Sequence, residues 1–124
     1  MRRKKFNFLN EAKQIAKQLI IHRMWNGLSQ ESVANILGIS FQQYQKVEKC
    51  ENRCLAEQLL KICNELNWDA GTILHQDPLQ TLDILQNNSK PKTRSNIVNS
   101  IEKIRSKLDK LDDTAYSNYF KERP

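Results

Sequence analysis

Residues that interrupt helices are scarce in this sequence. Three glycines and three prolines occur among its 124 residues, so few positions force the backbone out of a helix. We find no strand-type alternation of apolar and polar residues. Hydrophobic residues make up 39% and charged residues 27%, a composition at the hydrophilic edge of globular proteins. We therefore expect an all-helical chain with one modest core and no large enzyme core.

Cysteine and histidine are also few. Cys50, Cys54 and Cys63 are an odd number and form no C-x-x-C pair. His22 and His75 are the only histidines, so the sequence offers few ligands for a tetrahedral zinc site. Neither histidine has a Ser, Cys or Asp neighbour in a catalytic pattern. We expect no disulfide framework, no metal or other cofactor, and no catalytic residue.

Long apolar runs are absent. Four basic residues at positions 2–5 are followed by FNFLNE, which is shorter and more polar than the ~7–15 apolar residues of a secretory signal. Nothing approaches the ~18 apolar residues of a membrane span. The expectation is a soluble, cytoplasmic protein.

Positive charge is concentrated at the two ends of the chain. The formal net charge is +6, with seven Lys and Arg against one acidic residue in 1–25 and nine against five in 89–124. Residues 26–66 hold four basic and five acidic residues, and residues 67–88 hold no basic and three acidic residues. Such a chain is expected to meet an anionic partner, although net charge does not choose between nucleic acid, an acidic protein and a lipid surface.

Short-range signals divide the chain into helices. Ser29 and Ser40 are helix-capping residues, Gln43 completes a capping box with Ser40, and Gly27 and Gly38 stop helices. The periodicity predicts helices at about 10–25, 30–37, 41–48, 55–66 and 70–77, the last capped by Asp69 and closed by Pro78. In the first helix we expect an inward face of Ala12, Ile15, Ala16, Leu19, Ile20 and Arg23, with Lys13, Gln14, Lys17 and Gln18 on the other side.

The chain beyond Pro78 has a different pattern. Residues 79–96 are predicted as a linker, because they end in turn formers, Pro91 and basic residues. A helix at 97–121 follows, with apolar residues at heptad spacing, namely Ile97, Ile101, Ile104, Leu108, Leu111 and Ala115. This seam favours a parallel dimer in which Lys107 faces Asp112 of the partner, and the alternative is packing on its own domain.

Residues 29–49, SQESVANILGISFQQYQKVEK, place two short helices around a tight glycine turn. With the flanking Leu28 and the stretch from Lys49 to Arg53, they resemble the lambda-repressor-like helix-turn-helix family, the Cro/C1 or Xre type. The resemblance spans about Ala12 to Leu74 and implies a five-helix DNA-binding domain at 10–78. A basic arm at 1–9 either is solvated or tracks phosphate or the minor groove.

The resemblance also implies roles for individual residues. Arg23 and Glu48 match a pair that forms a partly buried salt bridge in similar proteins. The second of the two short helices would read bases, and residues around it would contact phosphate. The implied DNA-binding residues are Gln30, Ser40, Phe41, Gln42, Gln43, Lys46, Lys49, Asn52 and Arg53.

Two positions depart from the family pattern. Cys50 stands where glycine is usual, so the turn after the reading helix either is strained or has another shape. Phe41 replaces a polar residue and either contacts a thymine methyl or packs against Trp25 or Tyr44. Gln43 has the competing role of capping its own helix, and Tyr44, Trp25 and Trp68 are expected in the core.

The resemblance and the heptad seam imply a sequence-specific transcriptional regulator that binds double-stranded DNA as a homodimer. We expect it to act as a repressor. One alternative is an antitoxin whose C-terminal segment neutralises a toxin protein while the domain autoregulates its operon. Another is a helical module that binds only protein. No membrane partner is expected.

Overall fold

The computed structural model describes residues 8–88 and 94–121, with side chains for 8–88 and 98–113. Within those residues the protein has seven α-helices and no strand, which confirms the predicted all-helical fold. The predicted arm at 1–9 falls mostly outside this part, as do residues 89–93 and the side chains of Ile97 and Ala115. The helices are α1 (Leu9–Trp25), α2 (Gln30–Leu37), α3 (Phe41–Glu48), α4 (Ala56–Leu66), α5 (Ala70–His75), α6 (Pro78–Asn87) and α7 (Arg94–Lys121).

The predicted caps fix the ends of the short helices. The side chains of Ser29 and Asp69 accept hydrogen bonds from the third backbone N–H that follows each of them. Ser40 and Gln43 form the predicted reciprocal capping box. Gly27 and Gly38 have φ of 71° and 70°, in the left-handed region where a side chain would be strained. These local signals therefore position α2 and α3 as the sequence indicated.

The helix predicted at 70–77 ends at His75, before Pro78, but Pro78 itself begins a further helix, so the prediction of a linker from residue 79 is wrong at its start. Pro78 occupies the first position of α6, where the missing N–H has no helical partner to lose. Residues 79–87 of the predicted linker are consequently helical, and in the residues that the structure describes six helices rather than five precede α7. Leu82 of α6 is fully buried.

Helix α1 lies between two hydrophobic clusters. Leu19 packs with α2, α3, α4 and α5, in a cluster that includes Tyr44, with Trp68 partly buried against it. Ile20 packs with α6 and α7 in the second cluster, against which Trp25 is partly buried. Burial on both sides corrects one expectation, because Gln18 was assigned to the polar side and is fully buried. Its amide Nε2 donates to Gln76 O and to Thr81 Oγ1, both at 2.8 Å.

The C-terminal helix packs against α1 of its own chain. Four of the predicted seam residues are at most 4% exposed within the single chain, namely Ile101, Ile104, Leu108 and Leu111. The two residues of the predicted pairing between Lys107 and a partner's Asp112 make other contacts within the single chain. Lys107 lies 3.3 Å from Glu48, while Asp112 lies 3.0 Å from Lys13 and 2.7 Å from Lys17. The described part of the seam is therefore used inside the chain, which is the alternative that the heptad spacing left open.

Of the helices described, none is both long and apolar enough to cross a bilayer.

Candidate nucleic-acid interface

Helices α2 and α3 form a helix-turn-helix unit with a buried inner side. Val33 and Ala34 of α2 and Tyr44 and Val47 of α3 are all at most 5% exposed. The left-handed Gly38 ends α2, and its following residue, Ile39, donates its backbone N–H to Ala34 O at 3.1 Å. The turn and the packed inner side therefore hold α3 in a single orientation, with its other side facing outwards.

The outward side of α3 carries Phe41, Gln42 and Lys46. All three are exposed, and Gln42 and Lys46 share a face because they are four residues apart. Phe41 is 39% exposed and belongs to neither hydrophobic cluster. Its expected packing partners, Trp25 and Tyr44, lie in different clusters, and neither cluster includes Phe41. An amide and an ammonium group thus share one exposed face of α3, and the Phe41 ring is exposed at the first position of the same helix.

Gln43 is engaged in its own helix. Its Oε1 accepts a hydrogen bond from the backbone N–H of Ser40 at 2.9 Å, and its N–H donates to Ser40 Oγ at 3.1 Å. A bidentate contact with adenine needs both the oxygen and the NH₂ group of a glutamine. In the capped conformation Gln43 offers only the NH₂ group, so Gln42 is better placed for a bidentate contact.

Arg23 and Glu48 form a buried bidentate ion pair between α1 and α3. Arg23 Nε lies 2.6 Å from Glu48 Oε2, and Arg23 Nη2 lies 3.1 Å from Glu48 Oε1. Arg23 Nη1 also donates to the carbonyl of Leu28 at 2.9 Å, just before α2. Burial alone raises the pKa of Glu48, but the hydrogen bonds and charge of Arg23 outweigh burial and hold that pKa below its usual value. One side chain of α1 thereby fixes the start of α2 and the end of α3.

Gln30, the first residue of α2, joins the same network. Its Nε2 donates to Glu48 Oε1 at 2.9 Å, and its Oε1 accepts from Gln45 Nε2 at 3.5 Å. Lys107 Nζ approaches the same carboxylate at 3.3 Å from α7. The sequence pattern did not reveal the Gln30, Gln45 and Lys107 contacts, because they join residues far apart in the chain. Gln30 is half-buried and is held in place by Glu48.

The turn after α3 keeps the left-handed backbone that glycine usually supplies. Cys50 has φ of 62°, and the N–H of Glu51 donates to Lys46 O at 2.9 Å, as in a helix end of the Schellman type. Cys50 is 6% exposed and packs in the second cluster, with residues of α1 and α7. Burial raises its pKa to about 11, so the thiol is protonated and packs as a small apolar group.

Asn52 and Arg53 lie exposed beyond this turn. The guanidinium carbon of Arg53 stands 5.3 Å from the ring centroid of Phe8, a cation–π distance. Together with Phe8 and Glu11 they border a cleft of about 200 Å³ beside α1. Lys49 is exposed at the end of α3. The turn that follows α3 therefore carries exposed polar and basic side chains.

The remaining titratable candidates have structural surroundings. His22 Nδ1 lies 2.7 Å from Gln18 O, and its ring is 5.2 Å from that of Trp68. Burial lowers the pKa of His22, outweighing the hydrogen bond to Gln18 and the charge of Asp69. All three cysteines are free thiols. In the part of the chain that is described, no three His, Cys, Asp or Glu residues are grouped so that they could hold a metal ion.

Two curated proteins are similar to this chain. Both are named uncharacterized HTH-type transcriptional regulators, one from Sinorhizobium medicae and one from Rhizobium meliloti, and each is 42% identical over 64 residues. That region covers 52% of this chain and 46% of each relative, so the chain spans about half the length of the curated relatives it matches. No family model and no solved structure matches. The likeness supports a helix-turn-helix regulator.

Proposed function

We propose that this protein is a sequence-specific DNA-binding transcriptional regulator of the lambda-repressor-like type, acting as a repressor by occupying an operator. The observation that carries the proposal is the exposed face of α3, where Phe41, Gln42 and Lys46 stand on a helix whose inner side is fully packed. A helix has the width of the major groove, and a glutamine amide matches the N6 and N7 edge of adenine.

The roles divide between base contacts and phosphate contacts. Gln42 reads a base, Phe41 contacts a thymine methyl, and Ser40, Gln43 and Lys46 contact nearby bases or backbone. Gln30 contacts phosphate through an amide oriented by Glu48, while Lys49, Asn52 and Arg53 contact phosphate beyond α3. The ion pair between Arg23 and Glu48 supports this assignment, because it holds α1, the start of α2 and the end of α3 in fixed positions.

Dimeric binding to two half-sites is the second part of the proposal, and the buried seam restricts it. Two copies either pair through a surface other than the seam or exchange α7 between them. A toxin partner that used the same apolar stripe would likewise have to displace α7 from α1. The mass of the protein, free and on DNA, measured by sedimentation would distinguish a monomer from a dimer.

Selection of bound sites from random duplex DNA tests the proposal directly, because it identifies the operator and any half-site symmetry. On the selected site, Gln42→Ala is expected to cost roughly 1–3 kcal/mol and to relax the base preference at one position. Gln80→Ala, an exposed glutamine on α6, is the matched control and is expected to bind as the unmodified chain does. Failure to enrich any sequence, with no salt-dependent affinity for duplex DNA, would leave a module that binds only protein.

A further inference from the structure

Six charged residues of α7 fall on two edges of the helix. Lys103, Lys107 and Lys110 recur at spacings of four and three, which places them along one edge of the buried seam. Glu102, Asp109 and Asp112 recur along the other edge. The acidic edge faces α1, since Asp112 contacts Lys13 and Lys17 there. The two edges of this helix are therefore suited to different surroundings.

The lysine edge of α7 borders a groove next to α3. The groove has a volume of about 680 Å³, and we call it the lysine groove after Lys49, Lys103, Lys107 and Lys110, which line it. Gln30 and the carboxylates of Glu48 and Glu51 line it as well. Four ammonium groups thus line the groove with two carboxylates, and Glu48 is paired both with Arg23 and, at 3.3 Å, with Lys107. The net positive charge of the groove favours an anion.

The lysine groove is continuous with residues assigned to phosphate binding. Gln30 at the start of α2 and Lys49 at the end of α3 belong to both surfaces. From Lys103 to Lys110 the helix advances about 10 Å, at roughly 1.5 Å per residue. Phosphates along one DNA strand are spaced about 3.4 Å apart along the duplex axis, so a row of this length can meet two or three of them.

We propose that the lysine edge of α7 extends the DNA interface, with Lys103, Lys107 and Lys110 contacting backbone phosphates beside the site read by α3. The inference rests on the proposed function, because it assigns a further part of the same DNA-binding surface. A row of ammonium groups on a rigid helix suits a repeating polyanion better than a single small anion. Its contribution is to affinity and not to base choice, since phosphate contacts carry no sequence information directly.

The test compares the full chain with Lys103→Gln by fluorescence anisotropy on labelled duplexes. Binding is measured from about 50 to about 200 mM salt, on the selected operator and on unrelated duplex DNA. Lys103→Gln is expected to reduce the slope of log K against log salt by about 1 and to weaken binding about tenfold at ~0.1 M salt, equally on all sequences. Lys103→Gln with Lys110→Gln is expected to reduce the slope by about 2.

Arg105→Gln is the matched control, because it removes the same charge from the same helix. Arg105 lies on the other edge, 3.4 Å from Asp83 of α6, and its replacement is expected to leave the slope unchanged. Circular dichroism confirms that each variant is folded. The inference is overturned if Lys103→Gln binds with the original slope, or if all three variants lose the same amount.

Two further outcomes separate this inference from its premise. If the unmodified chain binds no duplex, the proposed function fails and the inference fails with it. If the unmodified chain binds DNA but Lys103→Gln does so equally well, only the inference fails. A third outcome assigns the groove to a small anion. In that case inorganic phosphate raises the unfolding temperature of the unmodified chain but not that of Lys103→Gln, while the salt dependence of DNA binding is the same for both chains. That result would also overturn the inference.

Discussion

Lys107 of α7 places its ammonium group 3.3 Å from Oε1 of Glu48, the last residue of α3. The same oxygen accepts a hydrogen bond from Gln30 at 2.9 Å, and the other carboxylate oxygen receives Arg23 at 2.6 Å. One buried carboxylate therefore joins four helices, namely α1, α2, α3 and α7. The end of α3 is therefore held from both sides, by Arg23 of α1 and by Lys107 of α7.

Replacement of this carboxylate is expected to destabilise the fold strongly. Glu48→Gln leaves the buried guanidinium of Arg23 without its counterion, a change that costs roughly 3–5 kcal/mol in comparable buried pairs. Urea denaturation measures the loss as a shift in the free energy of unfolding. Glu65→Gln, at an exposed position of α4, is the control and is expected to change it by less than about 0.5 kcal/mol. Equal stability of the two variants would contradict a structural role for the pair.

Mild acid is expected to weaken the fold through His22. Burial lowers its pKa in the folded state, so below the ordinary value of about 6.5 the unfolded chain binds a proton more readily than the folded chain. Stability is therefore highest above that pH and falls as the pH drops towards the lowered pKa of the folded state. The free energy of unfolding measured at several pH values between about 7 and 5 tests this. His22→Gln should flatten the profile in that range, and an unchanged slope would show that other groups cause it.

Glycine is expected to be more stable than alanine at position 50. Both replacements remove the thiol, but only alanine keeps a side chain on a backbone with φ of 62°. Relief of that strain is worth about 1–2 kcal/mol, which exceeds the roughly 0.8 kcal/mol from burying one methyl group. Thermal unfolding of Cys50→Gly and Cys50→Ala measures the order. A higher midpoint for Cys50→Ala would show that the turn changes shape when the thiol is lost.

Removal of α7 is expected to unfold the chain. Its four buried aliphatic residues each contribute roughly 1.5–3 kcal/mol, and the sum is comparable with the whole stability of a small domain. A chain ending at residue 93 would also expose Ala16 and Ile20 of α1. Circular dichroism and urea denaturation of this truncated chain are expected to show no cooperative transition. A cooperative transition of ordinary midpoint would show that α7 is a separate appendage.

Features encoded within a few residues could be predicted from the sequence. Ser29, Ser40 and Asp69 cap helices through N–H groups three residues away, and such caps act independently of the rest of the fold. Pro78 alone does not predict the helix that follows it, because proline fits both the stretch after a helix and the first position of the next helix. In this chain it begins α6.

Features that depend on distant parts of the chain could not be predicted in this way. Gln18 is buried because Gln76 and Thr81, about sixty residues away, supply its hydrogen-bond partners. The heptad spacing of α7 correctly indicated an apolar stripe, but the spacing is equally compatible with a partner chain and with α1. Likewise, Lys107 gives no sequence signal that it faces Glu48. The outward position of Gln42 and Lys46 followed from helix geometry, while the way Gln30 is held did not.

The burial of α1 on both sides has a consequence for how the molecule opens. Leu19 contributes to one cluster and Ile20 to the other, so neither cluster can be disrupted without exposing part of this helix. The backbone amides around Leu19, Ile20 and Ile21 should therefore exchange with deuterium only when the whole protein unfolds. Amides of α3, packed against only one cluster, should exchange through smaller openings, so that the helix proposed to read DNA can adjust while the centre of the protein stays closed.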